Sequence, residues 1–312
     1  MQDRTNVNFN SISPSALALL KSRSYTTIPF ARQSYEIISR LHAAGDDIET
    51  SSPRMKPIEF DFGLTDTRKL PKEVILRIMH FEQRYRSIDK ALQELGTSNI
   101  LEFSSGLSLR GLDFCRDPNI SYVDTDLPDL IATKQALVAE ILQMTGGDQP
   151  ENLIFKAMNA LAEAEFINTI SIFDDGPISI VNEGLLMYLD VKQKEQLCSI
   201  IHRILSTHGG YWITADIYRR DQEERKNIDK YYNVSDKEFV KKHNIEQNKF
   251  GSFDEAEALF LRCGFEILQK VEVEKNNLSA SKLLLENYPS AEEIFLGSKK
   301  TRETWVLKPV PS

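Results

Sequence analysis

The sequence predicts a doubly wound α/β fold: a mostly parallel seven-stranded sheet, an N-terminal helical cover and a helical insertion. Three observations carry that expectation. From residue 99 onward, short apolar runs alternate with longer helical patterns, as βαβ units do. Acidic and small residues gather just after those runs, where a parallel sheet binds its ligands. The first 95 residues lack this alternation and read as helical and irregular.

Taken in order, Ser13-Pro14-Ser15 opens the first helix, with serine as cap and proline at the first helical position. A second helix is expected over 29–41 and a Gly/Asp/Ser/Pro loop over 45–57. Val74, Ile75, Ile78, Met79, Ile88 and Leu92 recur at helical spacing, so 72–95 reads as one or two amphipathic helices. Strands then follow at 99–103, 120–124, 153–155, 178–181 and 211–215. Helices are expected up to about Cys115 and over 128–144, 160–172 and 191–205. The densely charged stretch 219–249 reads as an exposed helical insertion. A helix over 255–263 and strands over 265–271 and 303–307 complete the chain as an antiparallel edge with a hairpin return. Residues 1–95 thus form a cover packed on a core of 96–312, in one structural domain.

Composition narrows the function classes. At 312 residues, 41% hydrophobic and 27% charged, the chain has ordinary globular content. Its net charge of −8 would repel phosphate backbones, so no nucleic-acid partner is expected. No apolar run reaches the ~20 residues of a membrane span, and the polar start Met1-Gln2-Asp3-Arg4 has no secretory character. Cys115, Cys198 and Cys263 are far apart without a CxxC, which fits buried thiols in a reducing compartment, most simply the cytoplasm. His42, His80, His202, His208 and His243 form no close pair, and no His/Cys/Asp/Glu group has metal-ligand spacing, so no metal is expected.

The strand ends hold the candidate ligand residues. After the first strand come Glu102-Phe103-Ser104-Ser105-Gly106, small residues that let a ligand approach the backbone. Roughly twenty residues further, the second strand ends in Asp124-Thr125-Asp126, acids placed to accept from ribose hydroxyls. Asn159-Ala160-Leu161 follow the third strand, where an amide and backbone can face an adenine edge, and Glu183-Gly184 follow the fourth. A nucleoside ligand satisfies all four. The pyrophosphate of a dinucleotide wants G-x-G-x-x-G, of which only Gly106 is present.

The chain resembles the leucine carboxyl methyltransferase family, including its bacterial O-methyltransferase-like branch. Four segments carry the resemblance, Arg84-Tyr85-Arg86-Ser87-Ile88-Asp89, the turn 101–106, Asp124-Thr125-Asp126-Leu127-Pro128, and Asn182-Glu183-Gly184-Leu185-Leu186-Met187-Tyr188-Leu189, and Tyr211-Trp212-Ile213-Thr214-Ala215-Asp216 and Thr304-Trp305-Val306-Leu307-Lys308 add to it. It extends from Ser13 to Lys308. The resemblance implies a class I fold binding S-adenosyl-L-methionine and releasing S-adenosyl-L-homocysteine. By it Arg84 would pair with the cofactor carboxylate, Gly106 line the methionine–ribose turn and Asp126 bind the ribose. Asn159 and Ala160 would flank the adenine, Glu183 approach the amino group, and Tyr188 lie near the transferred methyl. One fixed cation and one fixed anion suit a zwitterionic amino acid. The family's G-A-G-x-D-T-R turn reads Ser104-Ser105-Gly106-Leu107-Ser108-Leu109-Arg110 here. Arg23, Tyr25 and Tyr188 are candidates for the acceptor pocket. The expected activity is O-methylation of a carboxylate or hydroxyl on a small molecule. The alternatives are a protein C-terminal carboxylate as acceptor, a nicotinamide-dependent oxidoreductase, or a nucleoside-binding module without catalysis.

Overall fold

A computed structural model describes residues 13–44, 67–221, 234–291 and 300–310. The expected loop at 45–57, and residues 222–233 of the expected insertion, lie outside the described residues.

Seven strands form one sheet in the order β3-β2-β1-β4-β5-β7-β6. They are β1 Asn99–Phe103, β2 Ser121–Asp126, β3 Leu153–Ala157, β4 Ile178–Asn182, β5 Gly210–Tyr218, β6 Phe265–Val271 and β7 Arg302–Pro309. β1 pairs in parallel with both β2 and β4, while β7 runs antiparallel between β5 and β6. Every residue of β1 and β4 is buried, as strands covered on both faces must be. The strand order reverses between β1 and β4, and ligands bind beside such a switch point.

The helices are α1 Ser13–Arg23, α2 Ala31–Ala44, α3 Lys72–Leu95, α4 Arg110–Phe114, α5 Pro128–Thr145, α6 Glu163–Ile170, α7 Val191–His208, α8 Val234–Lys242, α9 Ile245–Asn248, α10 Phe253–Arg262 and α11 Ser279–Asn287. Caps explain several limits. Asp190 and Gln193 form a reciprocal capping box before α7, and Ser252 accepts from the Glu255 amide before α10. α3 ends at Gly96 in the left-handed region, its N–H bonded to Leu92 O.

Several expectations change in detail. Residues 72–95 form a single 24-residue helix. The helix after β1 is only five residues long, because Ser104 to Leu109 form an extended turn first. α6 is shorter than its apolar pattern at both ends. The return from β6 to β7 is not a plain hairpin: α11 intervenes and packs on α3. Its seat is polar as well as apolar. Glu82, 1% exposed on α3, accepts the Ser279 and Ala280 amides and the Ser279 hydroxyl at the α11 N-terminus. The described part of the insertion is not simply exposed: Ile245 and Lys249 are buried, and α9 packs on the 3-10 turn Leu186–Tyr188. Among the described residues, no helix is long and apolar enough to cross a membrane.

Candidate active site

The carboxyl ends of β1 and β4 share a buried ionic cluster centred on Glu183, the first residue after β4. Its Oε1 accepts from Arg84 Nε at 2.7 Å and from Arg23 Nη2, and its Oε2 from Arg110 Nη2 at 3.0 Å. Burial alone would lift the Glu183 carboxyl, but Arg23, Arg84 and Arg110 together hold it well below the ordinary carboxylate range. Arg110 opens α4 and also binds Asp89 Oδ1 at 2.8 Å and Glu102 Oε1. The Tyr85 ring lies 4.1 Å from the Arg110 guanidinium and 4.9 Å from that of Arg23. Three guanidiniums thus meet three carboxylates, those of Glu183, Glu102 and Asp89.

The loop that carries Glu183 is held by Asp216. Its carboxylate accepts the Gly184 amide at 2.6 Å, the Leu185 amide at 2.6 Å, the Leu186 amide at 3.1 Å and the Asn182 side chain at 2.8 Å. The pairing of β5 with β7 slips between Thr214 and Ile217, and such an irregularity re-aims a side chain. Asp216 lies inside it. Gly184 takes φ +83, and a β carbon there would sit 3.5 Å from Arg84 Nη2.

At β1 and β2 the turn closes on itself. Ser104 adopts φ 52 and Gly106 φ 58, so Ser104 holds a left-handed conformation rarely adopted by L-residues. The Gly106 N–H donates to Asp126 Oδ2 at 2.7 Å, and the Leu127 N–H to Asp126 Oδ1 at 2.7 Å. Burial raises the Asp126 carboxyl, against these two amides.

The structure brings Arg84, Gly106, Asp126, Glu183 and Gly184 to one edge of the sheet. It places others inside. Glu102 is fully buried, one oxygen on Arg110 and the other accepting from Tyr122 at 2.6 Å. Asp124 is gripped by Lys134 Nζ at 2.7 and 2.9 Å and by the Ser105 hydroxyl. At the β3 end, Asn159 Oδ1 accepts the Leu161 amide at 3.0 Å, beside buried Ala160. Arg23, expected in the acceptor pocket, ends α1 inside the ionic cluster. Tyr25 packs against the apolar cluster of α3 and α11. Tyr188 bonds to Ser15 of α1 and meets Phe239 and His243 edge-on at 6.3 and 6.0 Å; burial pushes its phenol up to about 12.

Arg110, Lys134, Asp216 and Tyr218 were not assigned from the sequence. Asp216 and Tyr218 could have been, since both lie at the end of the fifth strand, where the same strand-end rule applies. Lys134 carried no local signal, because ten positions, across the end of β2 and the first turns of α5, separate it from Asp124. Among the described residues, no group of three or more His, Cys, Asp or Glu is arranged to hold a metal.

No protein-family model matches the chain, and no curated protein matches it significantly. Solved structures do. The S-adenosylmethionine-dependent methyltransferase SibL is 12% identical, covering 77% of this chain and 59% of SibL, with a TM-score of 0.42. Magnesium protoporphyrin IX methyltransferase from Synechocystis, with S-adenosylhomocysteine bound, is 9% identical over 78% of this chain and 89% of its own, TM-score 0.46. A methyltransferase from Anabaena variabilis is 13% identical over 73% and 85%, TM-score 0.46. The chain spans about three-fifths of the length of SibL. The fold class rests on the strand order itself: β3-β2-β1-β4-β5-β7-β6 with β7 reversed is the Rossmann-like sheet of class I methyltransferases.

Proposed function

We infer that this chain is an S-adenosylmethionine-dependent O-methyltransferase acting on a small molecule. The observation that carries the reading is the convergence of Gly106, Asp126, Glu183, Arg84 and Arg23 at the carboxyl ends of β1, β2 and β4. Two features of the cluster fit this cofactor. First, its charges already balance, so it suits a ligand that brings one ammonium and one carboxylate together better than a lone anion or cation. Second, the buried Nε of Arg23 finds no acceptor among the described residues, so a donor stands ready for a carboxylate. Arg84 and Arg23 would hold the cofactor carboxylate, Glu183 its ammonium and Asp126 the ribose hydroxyls.

The bound cofactor supplies an activated methyl group on a sulfonium. What the protein contributes is position and exclusion of water. Asp216 fixes the Gly184–Leu186 amides and so the direction of Glu183, and α1 lies over the mouth of the sheet. Ala16 of α1 is 3.6 Å from where a Gly106 β carbon would be, and Ser15 reaches Tyr188. A dinucleotide fits less well, since α4 has only five residues and its cap, Leu109, makes no side-chain bond.

A thermal-shift series with S-adenosylmethionine, S-adenosylhomocysteine and NAD tests the reading. Ligand at ~100 times its Kd stabilises by about 2.7 kcal/mol. A rise in Tm with both sulfur ligands and not with NAD is expected; no rise with either sulfur ligand removes the proposal. A screen of labelled methyl transfer to small hydroxyl and carboxyl compounds and to C-terminal peptides then separates small-molecule from protein acceptors.

A further inference from the structure

Far from one another in the chain, Cys198 and Cys263 meet on the side of the molecule away from Glu183. β5 and β6 both run antiparallel to β7 and so begin at the same, amino edge of the sheet, and α7 returns to that edge from the end of β4. The turn Cys263-Gly264 before β6 lies against α7. His202 Nε2 is 2.6 Å from where a Gly264 β carbon would be, and the His202 ring meets Phe265 edge-on at 5.4 Å. Cys198 stands one helical turn before His202 and so shares its face. The Cys198 and Cys263 side chains are in hydrogen-bond contact, Cys198 within the apolar cluster under α7 and Cys263 packed against it.

The two thiols differ in what each can do. Cys198 is 0% exposed, whereas Cys263 is half-buried and lines an open surface cavity of about 510 Å³ with Glu195, Ser199, Arg203 and Arg262. We propose that they are a redox pair: Cys263 reacts with a small disulfide at this cavity and Cys198 resolves the product, so that a reversible bond joins α7 to the start of β6. An accessible thiol beside a second, sheltered one is the arrangement such exchange requires. The electrostatics divide the roles in the same way. The Cys198 S–H donates to the Cys263 sulfur, which holds the Cys263 thiol below its ordinary value. Arg262 adds to this, against burial and Glu195. That same bond, and then burial, push the Cys198 thiol well up. Cys115 lacks both access and a partner thiol: it is buried, its S–H donates to Asn152 O at 3.4 Å, and burial pushes its thiol up to about 12.

In the first step the Cys263 thiolate forms a bond to one sulfur of the small disulfide, whose S–S bond breaks with its electron pair on the departing thiolate. Cys198 then loses its proton to solvent and attacks Cys263 Sγ. The bond from Cys263 to the small molecule breaks, and its electron pair leaves on a second small thiolate. Two protein thiols are thus oxidised to one disulfide, and the small disulfide is reduced to two thiols. The cofactor site takes no part, so the pair stands or falls independently of the methyltransferase reading.

The probe is 5,5′-dithiobis(2-nitrobenzoate), added to the full, folded chain, with released thionitrobenzoate followed by absorbance and the product by intact mass. The wild type should release two thionitrobenzoates per chain, retain none, and end lighter by two hydrogens. A tryptic digest should then contain the Cys198 and Cys263 peptides joined, and dithiothreitol should separate them. Cys198→Ser, which removes the resolving thiol, should release one thionitrobenzoate and keep the other on Cys263. Cys263→Ser should release none until urea unfolds the chain, because Cys198 and Cys115 are then the remaining thiols and both are buried. If Cys198→Ser does not fold, the wild-type mass and Cys263→Ser decide. A wild type that does not react when folded, one that keeps a thionitrobenzoate on Cys263, or a Cys263→Ser variant that reacts as fast as the wild type would overturn the proposal.

Discussion

Replacing Glu183 by glutamine removes one charge and almost no volume, which makes it the sharpest test of the ionic cluster. The Glu183 side chain is 4% exposed and engages Arg23, Arg84 and Arg110. The variant would leave guanidiniums facing one another in a dry site. Removing one partner of a buried pair destabilises by about 3–5 kcal/mol. With roughly 2–4 °C per kcal/mol for domains approaching this size, Tm should fall by on the order of 10 °C. Urea unfolding at neutral pH should show a lower midpoint with an unchanged slope. Adding Arg23→Met should recover about 1–2 kcal/mol, because contacting residues couple by roughly 0.5–3 kcal/mol. Acid provides an independent check. Glu183 has a depressed pKa in the folded state, so its contribution is present above the unfolded carboxylate value of about 4.3 and is lost as pH falls below it. The gap between wild type and Glu183→Gln should therefore narrow below about pH 4. A loss under about 1 kcal/mol at neutral pH would refute the reasoning, since the cluster would then not need its central anion.

Three further outcomes follow from the same geometry. Lys134→Met strips the buried Asp124 carboxylate of its cation and should lower stability by about 3–5 kcal/mol in urea unfolding, with Asp124→Asn in the same background restoring part of it. Gly106→Ala should destabilise by about 1–2 kcal/mol through its positive φ, because the nearest atom, Ala16 Cβ at 3.6 Å, is only an ordinary contact; calorimetry that finds no loss would show the turn relaxing. His80 has a folded-state pKa below its unfolded value, so it contributes stability above about pH 6.5 that is lost as pH falls. His80→Gln should accordingly flatten the fall in Tm between about pH 6.5 and 5, and an unchanged slope would mean that the ring titrates alike in the folded and unfolded chain.

The order of elements was legible in the chain because it depends on local period. Apolar runs of four or five residues broken by helical stripes can satisfy their backbone only as βαβ units, and all seven strands fall close to where that pattern puts them. That Gly106, Asp126 and Glu183 lie together was legible for the same reason: in a parallel sheet, chain position at or just past a strand end is also position at the sheet's carboxyl edge. Helix lengths were less so. α4 is cut to five residues by the long turn before it, and α11 hides in a stretch without marked periodicity, its start set by Glu82 some two hundred residues away. Tertiary structure alone decided which charges meet. Arg23 and Glu183 are separated by 160 positions and Arg110 and Glu183 by 73, and nothing local distinguishes a surface arginine from one that a distant carboxylate will neutralise. Burial decides this: once the sheet and its cover exclude water, each charge must find an opposite partner, and that partner is fixed by the packing of whole elements rather than by neighbours in the chain.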